Sequence, residues 1–291
     1  MMLAAVGAEL NVAIGMARLG HKVGLVGVVG SDPFGDLVLR TLRAEGVDVE
    51  DIRVIDEANT GLITFDRPAG NVLSVNYFRH GSAGSFLGKV DGEKVSERAP
   101  RIVHVTGVTA ALSDSARAAT DVAMRAARAS GALVSLDLNY RAKLWSRKDA
   151  GIALRDLARN ADIIFASEEE LDLLLEGPGD DALERIQREL PSFGVEELIV
   201  TRGALGASAF VQGSEVTVDA FPAVAVDTIG AGDAFVAGYL SALVDGASVT
   251  ERMARARVFA AFAVTRSGDW EGLPSRAQLD AATQASEHIQ R

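Results

Sequence analysis

Asp227-Thr228-Ile229-Gly230-Ala231-Gly232-Asp233 runs straight into Ala234-Phe235-Val236-Ala237-Gly238, and the rest of the chain is read outward from it. The small residues Gly230, Ala231 and Gly232 let successive backbone N–H groups turn toward one point without interference from a Cβ atom. The apolar, small-residue run that follows predicts a helix over 231–243, whose positive end faces the same point. Such a turn makes an anion hole of the size a transferring phosphoryl group needs. Asp233 falls in the first helical turn beside it, where a carboxylate can take a proton from an attacking hydroxyl. The plain alternative is a Gly-rich turn with Asp233 as a helix cap. The full seven-residue string weighs against it.

Working back from this turn, short apolar runs rich in β-branched residues predict buried strands at 23–29, 102–106, 133–137, 162–166 and 198–201. Helical spacing fills the gaps at 113–129, 148–159 and 181–190, with Ser113 placed to cap the first and Gly131 to end it. Further helices are predicted at 250–266 and 275–288. Strand–helix alternation of this kind means an α/β layered fold with a mainly parallel central sheet. Two stretches break the rhythm. Residues 207–212 and 215–220 read as a hairpin about Gly213-Ser214. Residues 60–66 and 72–79 read as another, with Arg67-Pro68-Ala69-Gly70-Asn71 as its turn. The second hairpin is either a flap over a site or an edge extension of the main sheet. The expected division is an α/β body of 1–50 and 80–291, with a small β lid of 51–79 inserted in it.

Composition removes several function classes. With 29 Lys+Arg against 40 Asp+Glu, the net charge of −11 excludes nucleic acid as a general partner, because phosphate neutralisation needs a positive surface. Zero cysteine removes thiol nucleophiles, Cys-ligated zinc and iron–sulfur clusters. The four histidines, His21, His80, His104 and His288, show no metal-ligand spacing, and His104 in its apolar run reads as a satisfied core residue. Residues 1–10 carry no basic region followed by a long apolar stretch, and no apolar run approaches the ~20 residues of a membrane span. The expectation is a cytoplasmic protein with no membrane partner. The Walker string Gly-x4-Gly-Lys-Ser/Thr and the Gly-x-Ser-x-Gly elbow are both absent.

The 227–233 string and its helix resemble the C-terminal signature of the ribokinase-like (PfkB) carbohydrate kinases. Gly7-Ala8-Glu9-Leu10-Asn11-Val12-Ala13, running on to Leu19-Gly20, resembles the family's N-terminal Gly-rich substrate motif, and 26–35 the strand and loop after it. The resemblance covers essentially the whole chain. Within the family it is nearest to 2-keto-3-deoxygluconate kinases, through Asn76-Tyr77-Phe78-Arg79 with residues 80–83, Asp137-Leu138-Asn139-Tyr140-Arg141 with Leu144-Trp145, residues 167–170, and residues 268–274. It implies a ribokinase-like three-layer fold with a β lid, and ATP with Mg²⁺ as phosphoryl donor. It leaves room for a monovalent cation. It implies a substrate site of Gly7, Asn11, Tyr77, Arg79, Arg141 and Asp269, with Asp233 as base and Gly230, Ala231 and Gly232 as anion hole. It implies nucleotide contacts from Asn139, Arg141, Thr201, Gly203, Gly206, Gly230 and Gly232. The family's Asn-x-x-Glu metal-linked motif falls at 167–170, where Glu170 is kept to support the metal through water and Ser167 replaces the Asn. Ile63 stands where a lid Tyr is common. Family members also carry a first strand ahead of the Gly-rich motif, which here falls almost at Met1, so that strand is expected to be missing.

The side-chain chemistry fits a sugar acid. A guanidinium is the best planar partner for a carboxylate, and Arg79 and Arg141 supply two in a net acidic protein, where a neutral hexose needs neither. The expected reaction is ATP-dependent phosphorylation of 2-keto-3-deoxygluconate on its terminal hydroxyl. A fructokinase-like enzyme, prompted by Ile63, and a non-catalytic sugar- or nucleotide-binding protein, prompted by Ser167, are the alternatives. Apolar lid positions 62, 63, 65, 72, 73 and 75 predict a homo-oligomer formed through the lid.

Overall fold

A computed structural model describes residues 3–69, 72–177 and 181–289. Its central sheet has six strands in the order β10-β9-β8-β7-β6-β5. These are β5 (Ile102–Thr106), β6 (Leu133–Asp137), β7 (Ile163–Ser167), β8 (Glu197–Thr201), β9 (Ala207–Val211) and β10 (Ser214–Val218). The first four are parallel, and β9 and β10 add an antiparallel edge. Two smaller sheets stand apart from it. One pairs β1 (Gly27–Gly30) in parallel with β2 (Ile52–Ile55). The other is the antiparallel hairpin of β3 (Leu62–Ala69) and β4 (Val72–Phe78).

Alternation along the strands explains the layers. Leu136, Ile164, Leu198 and Val200 face one side, packed under α5 (Asp114–Ala129), α6 (Arg147–Ala158) and α7 (Ala182–Phe193). Ile163, Phe165 and Ile199 face the other, packed under α8 (Ala231–Val244) and α9 (Val249–Val264). That is the period of two expected of a sheet covered on both faces. The remaining helices are α1 (Ala8–Arg18), α2 (Pro33–Ala44), α3 (Lys89–Glu97), the single turn α4 (Gly107–Ala110) and α10 (Arg276–Ile289). Ser113 caps α5 by accepting from the Ala116 amide at 3.0 Å, and Gly131 follows at φ 81°, as the sequence predicts. Among the described residues no helix is long and apolar enough to cross a membrane.

Three expectations change. The strand predicted at 23–29 begins only at Gly27. Residues 23–25 instead bond the loop at Asp48, through Leu25 N to Asp48 O and Asp48 N to Val23 O, because the partner segment straightens only from Ile52. The first lid strand runs past its expected end at 66 on the turn side, while the second starts at the expected residue 72. β3 continues through Arg67 and Pro68 to Ala69, with a register shift between Asp66 and Ala69 where proline can donate nothing to the ladder. Gly70 and Asn71 of the expected turn lie outside the described residues. β2 falls inside the 51–79 segment yet pairs with β1 of the body, so the hairpin proper is 62–78.

Between β1 and β5 the sheet is interrupted. Among the described residues each has one hydrogen-bonded neighbour, β2 and β6 respectively. A cleft of about 610 Å³ separates them, walled by residues 22–28 on one side and 100–105 on the other.

Candidate active site

The site is assembled at the carboxyl ends of the parallel strands, where an open α/β sheet leaves its crevice. Two close packings bring its parts together. A Cβ on Gly15 of α1 would lie 2.7 Å from the Ala237 Cβ of α8, so these helices touch at their backbones. That contact seats Asn11, one turn earlier, against Asp233, and Asn11 Nδ2 donates to Asp233 Oδ2 at 2.7 Å. The second packing is at Gly230, whose φ of 73° starts α8. A Cβ there would meet the Asp269 carbonyl oxygen at 2.1 Å. The turn at 230 and the loop at 269 are thereby in direct contact, and Asn11 Nδ2 also donates to Asp269 Oδ2 at 3.2 Å. The 269 loop is pinned from behind. Trp270 Nε1 donates to the Ala5 carbonyl at 2.7 Å, and Arg18 lies 5.1 Å over the Trp270 ring while donating to the Leu273 carbonyl.

Ile229 N donates to Asp227 Oδ1 at 3.2 Å, which closes the approach to Gly230. The first-turn amides of α8 lack intrahelical acceptors, as at any helix start. A Cβ on Gly232 would meet nothing within 4 Å, so the space above the turn is open. Gly7 caps α1 with extended backbone, and only Leu10 lies near its missing Cβ.

From the β6 end, Asn139 is buried at a φ of 38° and its Nδ2 lies 3.0 Å from Asp137 Oδ2 and 3.4 Å from Asp233 Oδ1. Its side chain therefore faces the carboxylates rather than open space. Arg141 is exposed beyond it, and its charge reaches Asp137, Asp233 and Asp269. On the lid, the Arg79 guanidinium stacks 4.6 Å from the Tyr77 ring centre, and Ile63 lies opposite Tyr77 in the hairpin register. At the end of β8, Thr201 pairs with Ser167, and Gly203 and Gly206 both have positive φ in the loop that follows. A Cβ on Gly206 would strike the Val218 carbonyl at 2.0 Å, so this glycine shapes the loop. Gly203 has open space around it.

This arrangement has close counterparts. A family model described as pfkB family carbohydrate kinase matches residues 3–276. The chain belongs to the pfkB family of carbohydrate kinases. It is 34% identical over 282 residues to a 2-dehydro-3-deoxygluconokinase of Bacillus subtilis, covering 94% of this chain and 84% of that one. It is 34% identical over 281 residues to a fructokinase of Salmonella typhimurium, covering 94% and 90%. A solved structure of a putative ribokinase II from E. coli in complex with ATP and Mg²⁺ superposes with a TM-score of 0.87 at 27% identity, over 96% of this chain and 88% of that one.

The electrostatics of this pfkB site follow from burial. Asp233 is pushed up to about 7, chiefly because its carboxyl is removed from water. The Asn11 hydrogen bond and the Arg141 charge oppose that shift. Burial likewise pushes Asp269 up to about 6. Asp137 is held well above the usual carboxylate range by burial and then by the like charges of Glu170 and Asp233. Burial, aided by the charge of Arg141, keeps the Arg79 guanidinium below its ordinary value.

Among the described residues no group of three acidic or histidine side chains is close enough to ligate an ion directly. Glu170 accepts from the Tyr140 amide at 2.6 Å with one oxygen and from the Ser167 amide at 2.8 Å with the other. The mutual repulsion at Asp137, Glu170 and Asp233 still suits a hydrated divalent cation carried on nucleotide phosphates, since Mg²⁺ keeps most of its waters.

Three contributors had no role in the sequence reading. Glu9 Oε1 accepts from the Thr106 hydroxyl at 2.8 Å, and its charge reaches Asp233 and Arg79. Asp137 ends β6 within reach of the Asp233 charge; a carboxylate closing a buried strand at its carboxyl end was the signal. Lys143 Nζ donates to the Val75 carbonyl and lies 5.9 Å from the Tyr77 ring, tying the lid to the 139–145 loop. Nothing in the spacing of Lys143 announced that contact.

Proposed function

We propose that this kinase transfers the γ-phosphoryl group of ATP to the terminal hydroxyl of 2-keto-3-deoxygluconate, giving the 6-phosphate and ADP. The observation that carries this reading is a carboxyl pushed up to about 7 in the first turn of α8, beside an open Gly-rich turn and within reach of the Arg141 charge.

The base works because its environment keeps it poised. A carboxylate near neutrality can accept the proton of an attacking hydroxyl and release it afterwards. Asn11 orients Asp233 Oδ2, and Asn139 lies against Oδ1. As the hydroxyl oxygen bonds to the γ-phosphorus, the bond from phosphorus to the ADP oxygen breaks. Negative charge then spreads over the transferred oxygens. The amides of 230–232 and the positive end of α8 meet that charge. Magnesium, bound with the nucleotide, supplies charge neutralisation between its phosphates, and Glu170 and Asp137 are the residues that would hold its waters.

Substrate choice rests on the lid. Arg79, stacked on Tyr77 and partly removed from water, is arranged to take a carboxylate in planar fashion. Arg141 serves the phosphates. Thr201, Gly203 and Gly206 would border the nucleotide base. Ile63, opposite Tyr77 in the hairpin register, can offer a sugar chain no hydrogen bond, which is the feature that favours a ketohexose as the second reading.

Phe65 and Phe78 of the lid are 41% and 62% exposed. They support pairing with the lid of a second copy, a proposal that a purely monomeric mass in light scattering at working concentration overturns. The decisive experiment for the reaction is a panel of sugars and sugar acids with ATP. Turnover greatest on 2-keto-3-deoxygluconate supports the reading. Turnover greatest on fructose replaces it with the second, and ligand binding without ADP release rejects both.

A further inference from the structure

We propose that Lys143 is a positioning residue for the sugar site: through the Val75 carbonyl and the Tyr77 ring it holds the β3–β4 hairpin in place, and with it the stacked pair of Tyr77 and Arg79. The proposal rests on the reading above only in taking the lid as part of the sugar site, and not on which sugar is phosphorylated. The hairpin needs a hold from outside. Among the described residues β3 and β4 pair with each other and with no further strand, and a two-stranded hairpin alone is marginal in water. None of the buried clusters that make up the core includes a described side chain from 62–78. The neck of the hairpin is anchored. Thr60 N donates to Asp32 Oδ2 at 2.7 Å, and Ala83 N to the Asn59 carbonyl at 2.8 Å. Beyond the neck, among the described residues, the hydrogen bond from Lys143 Nζ to the Val75 carbonyl is the one that ties 62–78 to the body.

The tie reaches the part of the lid that carries the chemistry. Val75, Tyr77 and Arg79 alternate along β4 and its end, so their side chains share one face. Lys143 Nζ lies 5.9 Å from the Tyr77 ring centre and the Arg79 guanidinium 4.6 Å from it, so one ring holds two cations. Arg79 interacts in turn with the charges of Glu9 and Arg141, and both of these also reach Asp233, which places the pair at the site. Among the described residues both contacts of the Lys143 ammonium are with the lid, so nothing in the body competes for it.

The other end of the tie is rigid. Lys143 lies between Tyr140 and Trp145, whose side chains pack against the core. Tyr140 N donates to Glu170 Oε1 at 2.6 Å and Leu144 N to the Arg141 carbonyl at 2.8 Å, which fixes the backbone on either side. The same loop begins at Asn139, whose Nδ2 lies 3.4 Å from Asp233 Oδ1. Lys143 thereby sets the lid against the loop beside the base. A lid released at this point loses the placement of Tyr77 and Arg79 while Asp233 and the turn at 230 stay where they are. The cost falls on sugar binding.

The test compares the full chain with Lys143→Met, which keeps most of the apolar stem but neither the donor nor the charge, and with Lys143→Arg, which keeps both. One readout is amide exchange along 62–65 and 75–78. The other is the KM of whichever sugar is turned over best, set against kcat and the KM of ATP. For the Met variant, lid exchange should speed up by about tenfold with 133–137 unchanged, and the sugar KM should rise by about tenfold, the loss being carried by that KM rather than by kcat. The Arg variant should return both readouts toward the parent. Unchanged lid exchange in the Met variant overturns the proposal, as does an Arg variant no better than Met. A loss carried by the KM of ATP also overturns it, since Lys143 would then serve the nucleotide through its own loop. Exchange needs no substrate, so failure here is distinguishable from failure of the proposed reaction.

Discussion

Asn11 Nδ2 lies 2.7 Å from Asp233 Oδ2, across 222 residues of sequence, and the same nitrogen reaches Asp269 Oδ2 at 3.2 Å. One amide thus serves two buried carboxyls, both of which burial raises. Because donation favours the charged form, removing it moves Asp233 further up. Asn11→Ala should shift the acid limb of the pH profile of kcat/KM to higher pH by about one unit, the worth of roughly 1.4 kcal/mol. In the unaltered chain that limb should lie near 7. A profile flat from pH 5 to 8 would contradict the role given to Asp233.

Asp233→Asn should retain sugar binding and lose about 10²–10⁴ in kcat. Its stability should move the other way. The folded carboxyl titrates near 7 and an unfolded one near 3.8, so between those values the native state holds the extra proton. Asp233 therefore costs nothing below the lower value and costs progressively more stability as pH rises through the upper one. Urea unfolding should show the Asn variant gaining more over the parent at pH 8 than at pH 5. Gains equal at both pH values would mean the carboxyl is not held near neutrality.

Arg79→Ala separates the two substrate readings. Losing a charge-assisted contact to a carboxylate should cost roughly 10–100-fold in kcat/KM on the sugar acid, following the ~1.5–3 kcal/mol of such bonds. The loss on a neutral ketohexose should be small. Equal losses would mean that Arg79 reads no carboxylate and only supports the lid through Tyr77.

Gly15→Val tests how the site is held rather than what it does. Its Cβ alone would sit 2.7 Å from Ala237 and 3.1 Å from Phe259 Cε1, so α1 must part from α8. A cost of about 1–3 kcal/mol in unfolding free energy is expected, with a fall in kcat as Asn11 withdraws from Asp233. Loss of stability with an unchanged kcat would show that the helices separate elsewhere.

Much of this was legible in the sequence for definite reasons. β5 and β6 stand at their predicted bounds because both are short apolar runs, β5 between Arg101 and Gly107 and β6 following Gly131-Ala132 and ending on Asp137. The Gly-rich turn that starts α8 was legible because its positive φ at Gly230 favours glycine. What the sequence could not disclose are contacts whose partners are remote. Asn139 was read as a nucleotide contact; its Nδ2 also donates to Asp137 and Asp233 from a backbone at φ 38°, and no local signal marks that torsion. The same holds for Lys143 against the Val75 carbonyl, a tie set by where the lid folds. The pairing of β2 with β1 could not be foreseen, because Ile52–Ile55 is too short to distinguish from the lid beside it.

The contact between Gly230 and the Asp269 carbonyl has a consequence for anyone redesigning this enzyme. At 2.1 Å from a would-be Cβ there is no slack between the 269 loop, proposed to border the sugar, and the 230 turn, proposed to meet the phosphate. On that reading, changes in 268–274 meant to admit a different sugar will displace the turn proposed to receive the charge. Selectivity and turnover are therefore mechanically geared together here, and altered specificity should be sought first on the lid, which can be reshaped without driving that gear.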